Sequence, residues 1–188
     1  MIVIGVIVGV AVIAGMWVVA SYNRLVALKN QSLNGWKQID IQLKRRHDLI
    51  PNLVETVKGA MKFEQNTLTQ VIEARSKAMS AMGVGEKSVQ ENALSGALRQ
   101  LFALTESYPN LKSNENVGKL QEELSSTENK IGFARQFYND ITTSFNVALQ
   151  SFPTNVFAGW FGFRSMELFG LTDDTQRQTP KVDLDLKS

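Results

Sequence analysis

The first 23 residues of this 188-residue chain carry no charged side chain, and residues 2–20 are Val, Ile, Gly, Ala, Met and Trp without interruption. A helix of that length, rising about 1.5 Å per residue, reaches roughly 28 Å, close to a bilayer hydrocarbon core of about 30 Å. Trp17 and Tyr22 stand at its C-terminal end, where amphipathic rings favour the headgroup region. A secretory signal would place basic residues before the apolar run and a small-x-small cleavage site after it; here nothing basic precedes Ile2, and Val18-Val19-Ala20 is a poor site. The run therefore predicts a retained membrane anchor, residues 1–21. Arg24, Lys29 and Lys37 follow the span and none precedes it, so the positive-inside rule expects the N-terminus outside and the body in the cytoplasm, on a cell (inner) membrane.

The remainder suits one domain. A formal charge of +2 gives no field that argues for nucleic acid. The absence of cysteine excludes disulfides, thiolate nucleophiles, cysteine-linked lipids and Cys-based metal sites.

Apolar residues beyond the span recur every three or four positions, which predicts helices. Val26, Leu33, Trp36, Leu43, Ile50, Val54, Val57, Met61, Leu68 and Val71 form one such series. No proline precedes Pro51, so anchor and first body helix are expected to run together, with a restart or kink at Pro51. Met79 to Gly85 breaks the pattern, and Ser88-x-x-Glu91 has the form of a capping box opening a further helix with Leu94, Leu98, Leu101, Leu104 and Tyr108 inward. Ser113 or Asn114 can cap the next helix. There the three–four alternation is strictest, from Val117 through Leu120, Leu124, Thr127, Ile131, Ala134, Tyr138, Ile141, Phe145 and Ala148 to Phe152, and predicts a straight coiled-coil-like seam ended by Pro153. Residues 152–171 are dense in aromatics, and residues 172–188 turn polar, as a disordered tail would.

Several blocks closely resemble the LemA family. They are Tyr22-Asn23-x-Leu25-Val26-x-Leu28-Lys29-Asn30; Trp36-x-x-Ile39-Asp40-Ile41-Gln42-Leu43-Lys44-Arg45-Arg46-His47-Asp48-Leu49-Ile50-Pro51-Asn52-Leu53-Val54; Tyr108-Pro109-x-Leu111-Lys112; Leu120-Gln121-x-x-Leu124; Thr127-Glu128-Asn129-Lys130-Ile131; Ala134-Arg135-x-x-Tyr138-Asn139; and Phe161-Gly162-Phe163. The resemblance implies one N-terminal membrane segment and an antiparallel four-helix-bundle body (residues 22–151), with no established reaction. It also implies a link to membrane organisation, since the family includes a protein of magnetosome membrane formation. Some relatives replace the membrane helix with a lipid-anchored cysteine, which this chain lacks.

The expected fold is thus all-α: a transmembrane helix continuing into an elongated four-helix bundle, then a short aromatic-rich C-terminal helix. Asp40 and His47 share the series of Trp36, Leu43 and Ile50, so both should point inward. With Thr127, Glu128, Arg135 and Tyr138 they are expected to form a buried polar layer that fixes helix register. The cationic run Lys44-Arg45-Arg46 reads as a solvated face paired locally to Asp40 and Asp48. A di-metal bundle site needs Glu-x-x-His pairs, a hydrolase needs Gly-x-Ser-x-Gly, and nucleotide enzymes need glycine-rich motifs; none occurs. Neither an enzyme nor a cofactor is expected.

Gly5-x-x-x-Gly9 matches small-residue packing between membrane helices. Phe157, Trp160, Phe161 and Phe163 could cap the core, dock on a neighbouring subunit or dip into a membrane interface. The sequence therefore predicts a non-enzymatic, membrane-anchored scaffold that contacts lipid and self-associates. The alternative is a monomeric adaptor presenting its bundle to another membrane protein.

Overall fold

The computed structural model describes residues 1–59 and 65–170. Among the described residues six helices follow one another: α1 (Ile2–Lys58), α2 (Gln65–Ser80), α3 (Val84–Thr105), the single turn α4 (Pro109–Lys112), α5 (Glu115–Gln150) and the single turn α6 (Thr154–Phe157). No strand occurs among the described residues. The expected disordered tail (172–188) and the core position Met61 lie outside the described residues.

Helix α1 is one rod of 57 residues, so the apolar span and the first bundle helix are the same element. Pro51 lies inside it without ending it. An internal proline has no N–H for the carbonyl four residues back, which strands His47 O. Arg75 of α2 supplies the missing donor, its Nε standing 2.8 Å from that oxygen. The expected restart at Pro51 thus becomes an anchor point for α2.

The body is two antiparallel layers, α1 along α5 and α2 along α3. At the end far from the span all four helices close on Ile50, Leu53, Val57, Val71, Leu94, Leu98, Leu101 and Leu124. Helices α2 and α3 are too short to follow α1 and α5 back toward the span. Their place is taken by the C-terminal segment, whose Phe169 joins Ile39, Leu43, Ile131 and Tyr138. Nearer the span, Phe163, Met166 and Ala158 pack with Leu25 and Phe145.

On α5 the expected seam is largely found: Val117, Leu124, Thr127, Ile131, Ala134, Tyr138 and Phe145 are buried, and Asn114 caps the helix by accepting from Asn116 N at 2.9 Å and Val117 N at 3.4 Å. Phe152 departs from it. The helix ends at Gln150, and Phe152 is 83% exposed.

The expected α1 series holds in its distal half, where Leu43, His47, Ile50, Val54 and Val57 are buried, and is off by one position nearer the span. Leu25, Ser32, Gly35 and Ile39 are buried, while Leu33 is exposed and Val26 and Trp36 only partly covered. Close approach of α5 explains the shift. A Cβ on Gly35 would meet Phe137 Cδ1 at 3.2 Å and the Tyr138 backbone Cα at 3.3 Å, so only a very small residue fits at that position, and the larger Leu33 and Trp36 lie on its flanks. Gly35→Leu is therefore expected to destabilise the bundle by about 1–3 kcal/mol, the usual range for overpacking. Thermal unfolding followed by circular dichroism tests this; an unchanged midpoint would mean the seam opens freely there.

The capping-box expectation also fails. Helix α3 starts at Val84, capped by Gly83, and Ser88 and Glu91 are buried within it. The aromatic segment is helical for only one turn, then turns at Gly162 (φ 73°) and runs back extended along α5.

Candidate functional site

Two polar arrangements tie the elements together: one joins the layers, the other holds the C-terminal segment on α5. The first centres on Arg46, which is 1% exposed. From α1 its guanidinium reaches Glu91 and Ser95 of α3 and Glu128 of α5. Nη2 bonds the Glu91 carboxylate and lies 3.4 Å from the Glu91 carbonyl; Nη1 bonds the Glu128 carboxylate and donates to Ser95 Oγ at 2.9 Å. His47 Nε2 stands 2.8 Å from the other Glu91 oxygen. A guanidinium fork suits this task because its planar donors satisfy several acceptors at once. Burial pushes the Glu91 carboxyl up, but the His47 hydrogen bond and the Arg46 charge outweigh it, and the net direction is down. The carboxylate is thus held charged.

Arg135 lies beside the network, stacked over Phe169 at 4.5 Å and 3.3 Å from Asn92 Oδ1. The cluster opens on one side into a cleft of about 560 Å³ between α3 and α5, where Arg99, Arg135 and Glu128 line the wall. Among the described residues no three His, Asp or Glu side chains converge as a metal site requires.

Of the six residues expected in a polar layer, His47, Glu128 and Arg135 do gather at or beside Arg46. Thr127 is buried but turns to its own helix, donating to Glu123 O at 2.8 Å. Tyr138 is buried too, and its hydroxyl donates to Glu167 O at 2.7 Å. Asp40 is not in the layer. Its side chain is 57% exposed and pairs with Lys87 Nζ at 2.7 Å. It shares the flank of Leu33 and Trp36 once the seam runs through Gly35 and Ile39. Sequence reasoning missed Arg46 and Glu91, the centre of the network. The first hid in a run of three cations and the second in an apparent capping box.

The second arrangement is a clamp of side-chain amides. Asn146 accepts from Met166 N at 2.9 Å and donates to Met166 O at 2.8 Å. One heptad earlier, Asn139 accepts from Phe169 N at 2.8 Å and donates to Phe169 O at 2.9 Å. Seven helical residues and three extended ones both advance about 10 Å, so two asparagines in one row can grip an antiparallel chain. The clamp fixes the path of the aromatic segment. There Phe157 meets Trp17 edge-on at 5.8 Å, and Tyr22 meets Phe161 at 5.1 Å and Phe163 at 5.6 Å.

Phe157, Phe161 and Phe163 are therefore engaged within the chain. Trp160 and Phe161 remain exposed, and Gly5 and Gly9 have open space where a Cβ would stand.

A long-helix bundle entered through an apolar N-terminal helix, with its layers tied by a buried ion-pair network, is the class that these features define. The chain belongs to the LemA family, whose profile matches residues 35–184. It is 29% identical over 168 residues to Protein LemA of Metamycoplasma hominis, covering 87% of this chain and 73% of that protein. It is also similar to Magnetosome protein MamQ 2 of Paramagnetospirillum magneticum, at 22% identity over 79% of this chain and 64% of the relative, somewhat under two thirds of its length. Magnetosome protein MamQ of Magnetospirillum gryphiswaldense is 22% identical, over 86% of this chain and 70% of that protein. Helix α1 is long and apolar enough near the N-terminus to cross a membrane.

Proposed function

We propose that this protein is a membrane-anchored helical scaffold that self-associates and organises the membrane holding it, with no reaction of its own. The observation that carries this reading is the unbroken α1 rod. An anchor on a hinge only tethers; an anchor continuous with the body sets the body's attitude to the bilayer, as a repeating assembly requires. The N-terminus lies outside and the body in the cytoplasm, on the positive-inside argument. The relatives named for the magnetosome, a membrane-bounded body, support a role in membrane organisation.

A second copy of this chain has a suitable surface. Ile41 follows Gly5 by about ten turns of 3.6 residues, which puts Gly5, Gly9 and Ile41 on nearly one face of α1. Beside Ile41, Phe133 and Phe137 of α5 are exposed, Phe133 at 75%. This stripe continues from span to body, so neighbouring copies can associate through the small-residue face in lipid and the aromatic face in water.

Particle mass in mild detergent tests the proposal. Assemblies of several protomers are expected at micromolar concentration, and Ile41→Glu with Phe133→Glu should reduce them to single protomers with unchanged helical content. A wild-type chain that runs as a single protomer would overturn the scaffold reading in favour of a monomeric adaptor.

A further inference from the structure

The end of the body next to the span differs in chemistry from the rest. Residues 1–31 and 141–166, which form this end, contain no Asp or Glu, whereas Arg24, Lys29 and Arg164 are present. None of these three cations joins an ion pair among the described residues. The turn of residues 152–163 also leaves large apolar side chains uncovered: Phe152, Val156 and Phe161 are exposed, and Trp160 is 85% exposed. Its height on the molecule is fixed, because Phe157 packs on Trp17, in the last turn of the apolar span, and Phe161 on Tyr22 just above it.

We infer that this turn is a second membrane foot: Phe152, Val156 and Trp160 enter the headgroup region of an anionic bilayer beside the span. The inference rests on the reading of residues 2–20 as bilayer-spanning. Once Trp17 is at the boundary, its contact with Phe157 brings the turn to the same level. Exposed aromatics there gain the environment that Trp and Tyr prefer at membrane interfaces. The carboxylate-free collar suits anionic headgroups, which attract nearby Arg and Lys and would repel acids. Continuity with the span and this charge match favour lipid over a second copy as the occupant. Two contacts, the span and the foot, would hold the α1 rod at a set tilt, since a single helix is free to tilt and rotate until anchors fix it.

The test uses the full chain in vesicles of phosphatidylcholine and phosphatidylglycerol, with or without bromine at shallow acyl positions. One form keeps only Trp160 (Trp17→Phe, Trp36→Phe) and another only Trp17 (Trp36→Phe, Trp160→Phe). Trp160 emission should fall in shallow-brominated vesicles and be sheltered from acrylamide. Trp160 open to acrylamide and indifferent to bromine would overturn the foot. Shelter from both would place a second copy there and also overturn it. A quenched Trp17 beside an unquenched Trp160 removes the foot and leaves the anchor; if neither is quenched, the anchor reading falls as well. Because Trp36 packs on Tyr138 and Phe169, a second measurement leaves every tryptophan in place. The chain has no cysteine, so Asn155→Cys carries an environment-sensitive dye uniquely. Its emission should shift to the blue in vesicles while that of Glu122→Cys, on the distal half of α5, stays water-like. The same water-like emission from both would overturn the inference.

Discussion

Glu91→Ala is expected to destabilise the protein by about 3–5 kcal/mol, the range for removing one partner of a buried ion pair. The loss exceeds that of a deleted contact because Arg46 stays behind, enclosed and always charged, with only the half-exposed Glu128 as a counter-ion. In a chain of this size that corresponds to a fall of about 6–20 °C in the thermal midpoint. Glu91→Gln keeps the shape and one acceptor and should fall between variant and wild type. Glu91→Leu combined with Arg46→Met should recover most of the loss, since paired apolar replacements spare the desolvation of both ions. Should Glu91→Ala unfold at the wild-type temperature, the network would not couple α1 to α3.

Acid should expose the same group. The Glu91 carboxyl is lowered in the folded state, with the His47 hydrogen bond and the Arg46 charge overcoming the upward push of burial. A depressed folded value means that the stabilisation is complete above the unfolded value, roughly 4.3 for Glu. It is lost as pH falls from there through the folded value, where the folded state must finally take up the proton. Wild-type stability should therefore decline over that acid range, and Glu91→Gln, having nothing to titrate, should show a shallower slope.

The parts of this fold legible in the sequence are those that hydrophobic patterning alone dictates. The span is a continuous apolar run, and the α5 seam repeats from Val117 to Phe145 because a long straight helix must keep one face inward. The inward face of α1 is read correctly at Leu43, Ile50, Val54 and Val57, but nearer the span it misled by one position for a specific reason. Close helix approach selects Gly35, and the large residues that dominate a periodicity count, Leu33 and Trp36, mark the flanks instead. Asp40 was misplaced by the same error. Arg46 and Glu91 left no local signature, for a buried ion pair between residues 45 apart looks like ordinary surface charge at each end. His47, Glu128 and Arg135 were found because they lie on or beside periodic positions. The extended C-terminal segment was the least legible element. Its partners are side-chain amides, and a chain gripped through its backbone carries no pattern in its own side chains.

That grip supports the second large expected effect. Asn139→Ala with Asn146→Ala removes four hydrogen bonds between α5 and the backbone of Met166 and Phe169. At about 1 kcal/mol net for each bond, the segment should lose roughly 4 kcal/mol of local stability. Tyr138 would still tie the segment through Glu167 O, and Arg135 would still stack on Phe169. The distal core around Ile50 and Leu94 does not touch this segment, so the effect should be local, opening residues 163–169 without unfolding the four-helix end. Arg164 is exposed in the clamped stretch and provides the readout. Trypsin should cut after Arg164 faster in the double variant by a large factor, whereas sites on the distal helices keep their wild-type rates. Because the clamp also sets the height of Phe157 against Trp17, the loosened variant should lose the blue-shifted emission of a dye at Asn155→Cys in vesicles. Faster cleavage with unchanged dye emission would show that the α6 turn holds its place through its aromatic contacts with α1 alone.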